Sequence, residues 1–333
     1  MIRALYCALV LATGLSAAEH QLKVSPETLA WGYYWAGAKP VLTVQSGDVV
    51  EIQTVSGNPA TLEKAGLPVD QIQPELRRLY AEVPQEAKGP GGHLLSGPIA
   101  IAGAQPGDVL EVRIREIRLD VPFAYNTNGR NGFLADVFPE SRTKIIPLDR
   151  KRRTGHFGNG IDIPLRPFFG SMGVAPPESA GRVNSAPPGI HAGNLDNREL
   201  VAGTTLFIPV HAAGALFEVG DGHAGQGNGE IDITAMETSL TGVFQFVLHH
   251  DMHLKWPRAE TPAHYITMGL DPDLTQAARI CALETVDFLV NEKKLSREDA
   301  YALASVAVDF AITQLVDGTR GVHAMIPKSL FTK

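Results

Sequence analysis

The hexapeptide Gly-Asp-Val-Val-Glu-Ile at 47–52 returns as Gly-Asp-Val-Leu-Glu-Val at 107–112. Each copy lies within a strand–turn–strand pattern, "KPVLTVQSGDVVEIQTVSG" and "IAIAGAQPGDVLEVRIREIRL". A Gly-Asp turn between β-favouring runs requires the chain to reverse or turn a corner there. Two such units constrain the fold to a largely antiparallel β core, a sandwich or barrel; they are too short to be a solenoid. In the second unit Val109, Glu111, Arg113 and Arg115 alternate with Leu110, Val112 and Ile114, giving one apolar and one wetter face. Strand signals return at "TTLFIPVH", "ALFEVG", "GEIDITAMET" and "GVFQFVLHHDMHLKW".

Other segments read differently. Residues 58–92 are rich in Pro, Ala and charge and predict an excursion with at most short helical turns. Residues 120–195 are dense in Pro, Gly and Asn and predict long loops with short strands at "KIIPL" and "GIDIPL". Near residue 271 the periodicity becomes helical. Asp271 is the expected N-cap and Pro272 the first helical residue, with Leu274, Ala278, Cys281, Thr285 and Phe288 on one face. Ser296 with Asp299 predicts a second cap; Ala300, Leu303, Ala304, Ala307, Ala311 and Leu315 line the helix it opens, and Gly318 stops it. "VHAMIP" reads as a closing strand. The expected fold is therefore mainly β with α (α+β), an antiparallel sandwich or barrel with two C-terminal helices packed on a sheet. A β-rich part would span 19–256 and an α-containing part 257–333.

A formal charge of −7 and a pI near 5.9 argue against a polyanion partner, and no basic stripe or nucleic-acid motif is present. A small-molecule substrate is expected. Residues 1–18, with Arg3, an apolar run from Ala4 to Leu15, then Ser16 and Ala18, form the pattern of a secretory signal peptide. The run is too short to span a membrane well, so an exported, periplasmic or secreted, protein without a membrane anchor is expected. Removing that segment leaves Cys281 as the sole cysteine, which is read as core. A homo-oligomer, a dimer in the simplest case, is expected, with the loops of 120–195 available for contacts.

The chemistry-bearing stretch is "GDGHAGQGNGE", 220–230. Asp221 and His223 are two apart, so on an extended strand both reach one side and could bind one metal ion. Glu230, expected at the start of a strand, could serve as general base. Glycines would let the backbone turn tightly around a small ligand. A solvated glycine-rich loop is the competing reading. "PPGIHAGNLDNREL" adds His191, Asn194 and Asp196, and "GGHLLSGPIAI" adds His93, as further ligands from distant parts of the chain. "LHHDMH" places His249, Asp251 and His253 on one strand face, but it reads better as a solvent-facing sheet edge. No nucleophile elbow, P-loop, dinucleotide fingerprint or paired-cysteine zinc motif is present.

At these residues the chain resembles the acetamidase/formamidase family. The matching stretches are "HLLSGPIAIAGAQPGDVLEVRI", "IPLRPFFGSMGVAPP", "GIHAGNLDNREL", "GTTLFIPVHAAGALFEVGDGHAGQGNGEI", "LKWPRAETPAHYITMGLD" and "GVHAMIPKSLF", in family order from about residue 40 onward. The resemblance implies a largely β fold and hydrolysis of small linear amides to carboxylate and ammonia at a metal-containing site. It singles out Asn194, Asp196, Asp221, His223, Gly227 and Glu230, with His93 and Gly97 upstream. The family is commonly cytoplasmic, whereas this chain carries an export pattern, and the loop 125–135 matches poorly. The resulting expectation is a divalent cation, zinc first and calcium second, on Asp221, His223, Asp196 and His93. Glu230 would move the proton, and Asn194, Gly97 and Gly227 would lie near the substrate or oxyanion. Hydrolysis of a lactam or peptide-derived amide is the alternative. An exported, metal-dependent carbohydrate-binding β-sandwich is the remote one.

Overall fold

The computed structural model describes residues 17–331. All but the last two residues of the expected signal peptide lie outside that range. The repeated hexapeptide explains the architecture. Asp48 N–H donates to Gln45 O, and Asp108 N–H to Gln105 O, both at 3.1 Å. Each aspartate carboxylate accepts in return from the Gln45 or Gln105 N–H at 2.8 Å. The glycine between has φ +102° at Gly47 and +100° at Gly107, left-handed backbone that only glycine takes freely.

The strands flanking each turn do not pair with one another. Leu42–Val44 and Leu94–Ile101 belong to a six-stranded sheet; Val49–Gln53 and Val109–Leu119 belong to a nine-stranded sheet. Each repeat is thus a corner between sheets. The six-stranded sheet runs Ala192–Asn194, Phe168–Gly173, Phe217–His223, Leu94–Ile101, Leu29–Trp31, with Leu42–Val44 also on Leu94–Ile101. Both sheets are open paths, so no barrel closes among the described residues. The pairing is not wholly antiparallel: Glu19–Leu22 runs parallel to Val49–Gln53, and Leu42–Val44 to Leu94–Ile101.

One apolar cluster joins the two sheets, taking Val50, Ile52, Phe244 and Phe246 from the larger and Ile99, Ile101, Phe169 and Phe217 from the smaller. The Phe217 and Phe246 rings meet edge-on at 5.0 Å between centroids. Each fully buried side chain of this size contributes about 1.5–3 kcal/mol. Residues 58–92 hold two short helices, Pro59–Lys64 and Pro74–Glu82, whose Leu62, Leu76 and Leu79 cover a separate core with Trp31 and Val55. The segment 120–195 contains more strand than expected, including a four-stranded sheet of Phe123–Asn128, Arg142–Asp149, Thr154–Gly158 and Ile161–Pro164.

The first C-terminal helix is Leu274–Lys293, capped by Asp273, whose Oδ1 accepts from Gln276 N–H at 2.9 Å. Asp271, the expected cap, is still the last residue of the strand His264–Asp271. Cys281 is fully buried against this sheet, and burial pushes its thiol up to about 12. Ser296 caps the second helix as expected, but that helix is Arg297–Ala307 and does not reach Leu315. Asp309–Gln314 is instead an edge strand paired with Arg320–Pro327 through Phe310↔Ala324 and Ile312↔Val322. The alternation Val308, Phe310, Ile312 favours that ladder over helix continuation, and Gly318 sits in the turn between the strands with φ +79°. "GEIDITAMET" is not a strand either. Glu230 and Ile233 have φ +41° and +83°, which no strand pleat accommodates. Strands before and after residue 256 share the nine-stranded sheet.

Candidate active site

Four segments converge at one end of the strand Phe217–His223. The strand ends in Asp221 and His223 and is registered on Phe168–Gly173 by Phe168↔His223 and Phe169↔Gly222. Asp196 follows Ala192–Asn194 and is tied to the same neighbour by its N–H, which donates to Gly170 O at 3.1 Å. Glu230 is anchored to the edge strand: Gly229 N–H donates to Thr313 O at 3.0 Å and Leu315 N–H to Gly229 O at 2.9 Å. That clamp also carries Asp317 inward. Glu237 is set by reciprocal backbone bonds with Tyr125, at 2.7 and 2.9 Å.

The result is a buried group of five carboxyls and one imidazole. Asp196, Asp221 and His223 form one set whose donor atoms lie within 4.8 Å of one another; His223, Glu230 and Glu237 form a second, and Asp196, Glu230 and Asp317 a third. His223 Nε2 lies 3.3 Å from Asp221 Oδ2 and 3.2 Å from Glu237 Oε1. Asp196, Asp221, Glu230 and Asp317 all have left-handed backbones, with φ of +48°, +56°, +41° and +62°. Non-glycine residues in that region cost on the order of 1–3 kcal/mol each and concentrate at functional sites. Asp221 and His223 therefore do meet, but not through strand alternation. The left-handed turn at Asp221 breaks the pleat and swings its carboxylate onto the imidazole.

The glycines of 220–230 also act differently from expectation. A Cβ at Gly220 would fall 2.3 Å from Leu94 O, and one at Gly222 2.5 Å from Thr238 O. These two admit neighbouring backbone rather than a ligand. Gly227 does face open space. Gly170, which sequence patterning did not single out, is the floor of the site. A Cβ there would overlap Asp221 Oδ2 at 2.4 Å and Asp196 Oδ1 at 2.5 Å.

Hydrogen bonds fix the imidazole. Gln226 Nε2 donates to Asp196 O at 2.8 Å, which turns Gln226 Oε1 toward His223 Nδ1 at 2.9 Å. An amide oxygen only accepts, so Nδ1 carries the proton. Nε2 then faces Asp221 and Glu237, and either a second proton or a cation must separate them. Burial alone would lower the His223 pKa, but Glu237 and Asp221 outweigh it and hold it well above the usual value. Burial pushes Asp196 and Glu230 well above the ordinary carboxylate range, reinforced for Asp196 by Glu230 and for Glu230 by Asp317. Burial likewise raises Asp317 to about 6. For Asp221 burial is overcome by His223 and His93, and its pKa falls.

Asp196 Oδ1, His223 Nε2 and Glu230 Oε2 are buried with no hydrogen-bond partner. Orphaned buried donor-set atoms, an excess of carboxyls and a one-nitrogen, many-oxygen composition fit a divalent cation. A cavity of about 650 Å³ opens beside Glu230, Gln226 and Gly227; a smaller one of about 230 Å³ reaches His93 and Asp221.

The sequence candidates distribute unevenly. Asp196, Asp221, His223 and Glu230 are brought together, and Asn194 Nδ2 donates to Asp196 Oδ2 at 2.9 Å. His93 stands at the rim, its Nε2 4.0 Å from Asp221 Oδ2 and its Nδ1 2.9 Å from Ser185 Oγ. It joins none of the three donor sets. Gly97 is not brought to the group; it lies beneath Phe217 O and Glu218. His191 is buried against Tyr34, and burial takes its pKa down to about 4. The histidines of "LHHDMH" lie elsewhere. The strand Leu240–His249 is interior to the nine-stranded sheet rather than an edge, because Val49–Gln53 and Val109–Leu119 flank it, and it ends at His249, so Asp251 and His253 share no strand face with that histidine. His249 Nε2 pairs with Glu111 at 2.6 Å and His250 Nδ1 with Asp108 at 3.0 Å. Nothing in the sequence pattern marks Glu237 or Asp317 as members of the centre. Glu237 lies in the strand-like stretch "GEIDITAMET", and Asp317 stands beside Gly318, whose pattern is that of a helix stop.

Fold and site together define a mostly β protein with a buried, cation-competent acid–imidazole centre beside a cavity. The chain belongs to the acetamidase/formamidase family, whose model matches residues 34–182 and 178–333. An acetamidase of Mycolicibacterium smegmatis is 26% identical over 203 residues, 42% of this chain and 49% of that protein. The chain spans 47–59% of the length of the curated relatives it matches. Crystal structures of acetamidases from Yersinia enterocolitica and Bacillus halodurans superpose with TM-scores of 0.81 and 0.78. Their identities are 27% and 28%; the matches cover 97% and 93% of this chain and 96% and 98% of theirs.

Proposed function

We propose that this chain hydrolyses the C–N bond of linear amides, releasing a carboxylate and ammonia, with a divalent cation held by Asp196, Asp221 and His223. The observation that carries the reading is the set of orphaned, buried donor atoms on Asp196, His223 and Glu230, the last of which also lines a cavity large enough for a substrate. A cation bound there would acidify water and polarise a carbonyl. The chain supplies the rest. Gln226 holds the imidazole in one tautomer, so Nε2 is presented as a lone pair. Asn194 orients the Asp196 carboxylate by donating to Oδ2, which leaves Oδ1 free. Glu230 belongs to two of the donor sets and also lines the cavity, so its carboxyl can take a proton from water and deliver it to the departing nitrogen. The export pattern of residues 1–18 supports action outside the cytoplasm.

Glu230→Gln should retain the cation by elemental analysis and lose about 10²–10⁴-fold in ammonia release. Near-normal turnover in that variant refutes the assignment. Purified protein that is fully active without any divalent ion refutes the cation.

A further inference from the structure

We propose that the amide this site accepts is uncharged and carries an apolar acyl group several carbons longer than acetyl; this rests on the hydrolase reading above. The cavity beside Glu230, at about 650 Å³, would hold on the order of twenty waters at about 30 Å³ each. It falls in the range of about 300–1,000 Å³ that encloses much larger ligands than acetamide. Formamide or acetamide would leave most of it filled with water.

The walls state the chemistry. Ile146, Phe157, Ile163, Ile231 and Met236 line the cavity from four different segments. Ile231 is 54% exposed and Phe157 37%, so the mouth presents apolar surface to solvent that a bound acyl chain would cover. Charge is matched rather than unipolar. Arg166 is hydrogen-bonded through both terminal nitrogens to Glu199, with Nη1 at 3.2 Å, and Arg198 Nε lies 3.8 Å from the same carboxylate. Among the lining residues Asp232 and Glu230 stand against those two cations, and Glu199 pairs with Arg166 from behind, so both signs of charge meet the ligand and neither dominates. The amide end belongs at Glu230, where the acid cluster begins, and the acyl chain runs outward along Met236, Ile163 and Phe157.

The test is steady-state ammonia release by the mature protein with formamide, acetamide, butanamide and hexanamide. Each buried methylene should raise kcat/KM by about fourfold, so hexanamide should exceed acetamide on the order of 100-fold. Ile163→Trp, at a half-buried position, should cut kcat/KM for hexanamide at least tenfold more than for acetamide. A flat or falling series, or equal losses for both amides in the variant, overturns the inference while leaving amide hydrolysis standing. Ammonia from none of the amides, with hexanamide still binding more tightly than acetamide by calorimetry, instead overturns the hydrolase reading and keeps the apolar pocket.

Discussion

Gly170→Ala isolates the floor of the acid–imidazole centre. Gly170 has no left-handed φ, so alanine can adopt its backbone without strain. The difficulty is space. The added Cβ would lie 2.4 Å from Asp221 Oδ2, 2.5 Å from Asp196 Oδ1 and 2.9 Å from His223 Cε1. Comfortable contacts begin near 3.5 Å, so the two carboxylates must retreat by about 1 Å. Overpacking of this kind costs roughly 1–3 kcal/mol. A displacement of about 1 Å in positioned groups also costs on the order of 10²-fold in rate. Three measurements follow on one preparation: urea unfolding without added metal, divalent-cation binding by calorimetry, and ammonia release. Modest destabilisation should accompany a loss of about 100-fold or more in both cation affinity and turnover. Wild-type cation affinity with turnover within threefold would show that Asp196, Asp221 and His223 do not form the working site.

Further expectations test the frame. Asp108→Ala removes the acceptor for Gln105 N–H and for His250 Nδ1. Asp48→Ala does the same for Gln45 N–H and His20 Nε2. Each should lower urea stability by about 1–3 kcal/mol, and a neutral result would deny the corners their structural role. Gly269→Ala should fail to fold or lose more than about 3 kcal/mol, because its Cβ would lie 2.1 Å from Ala277 O in the helix above; soluble, wild-type expression contradicts that packing. Burial lowers the His323 pKa from 6.5 to about 4. At this group the unfolded chain therefore binds more protons between those values, and the part of the stability that His323 contributes is fully present above about pH 6.5 and is lost as pH falls toward about 4. The loss should reach about 3 kcal/mol, and His323→Asn should flatten that slope in pH-resolved denaturation.

Much of this protein is written locally. The Gly-Asp turns, the Ser296 cap, the buried face around Cys281 and the candidates Asp196, Asp221, His223 and Glu230 all follow from residue type and spacing. Local hydrogen bonds and side-chain periodicity act over a few residues and leave their mark in the chain. What tertiary structure decided is everything that depends on a distant neighbour. The corners read equally well as hairpins until Leu42–Val44 and Leu94–Ile101 are found paired in one sheet while Val49–Gln53 and Val109–Leu119 lie in the other. Residues 308–314 carry small and β-branched residues alike, and pairing with Arg320–Pro327 settles them as strand. Glu237 and Asp317 enter the centre only because Tyr125 and Gly229 bond across more than eighty residues of chain to bring them there. Gly170 matters because three side chains from other segments occupy the volume its Cβ would take. Spacing along a chain encodes which groups can act, but only packing among remote segments determines which of them share one volume.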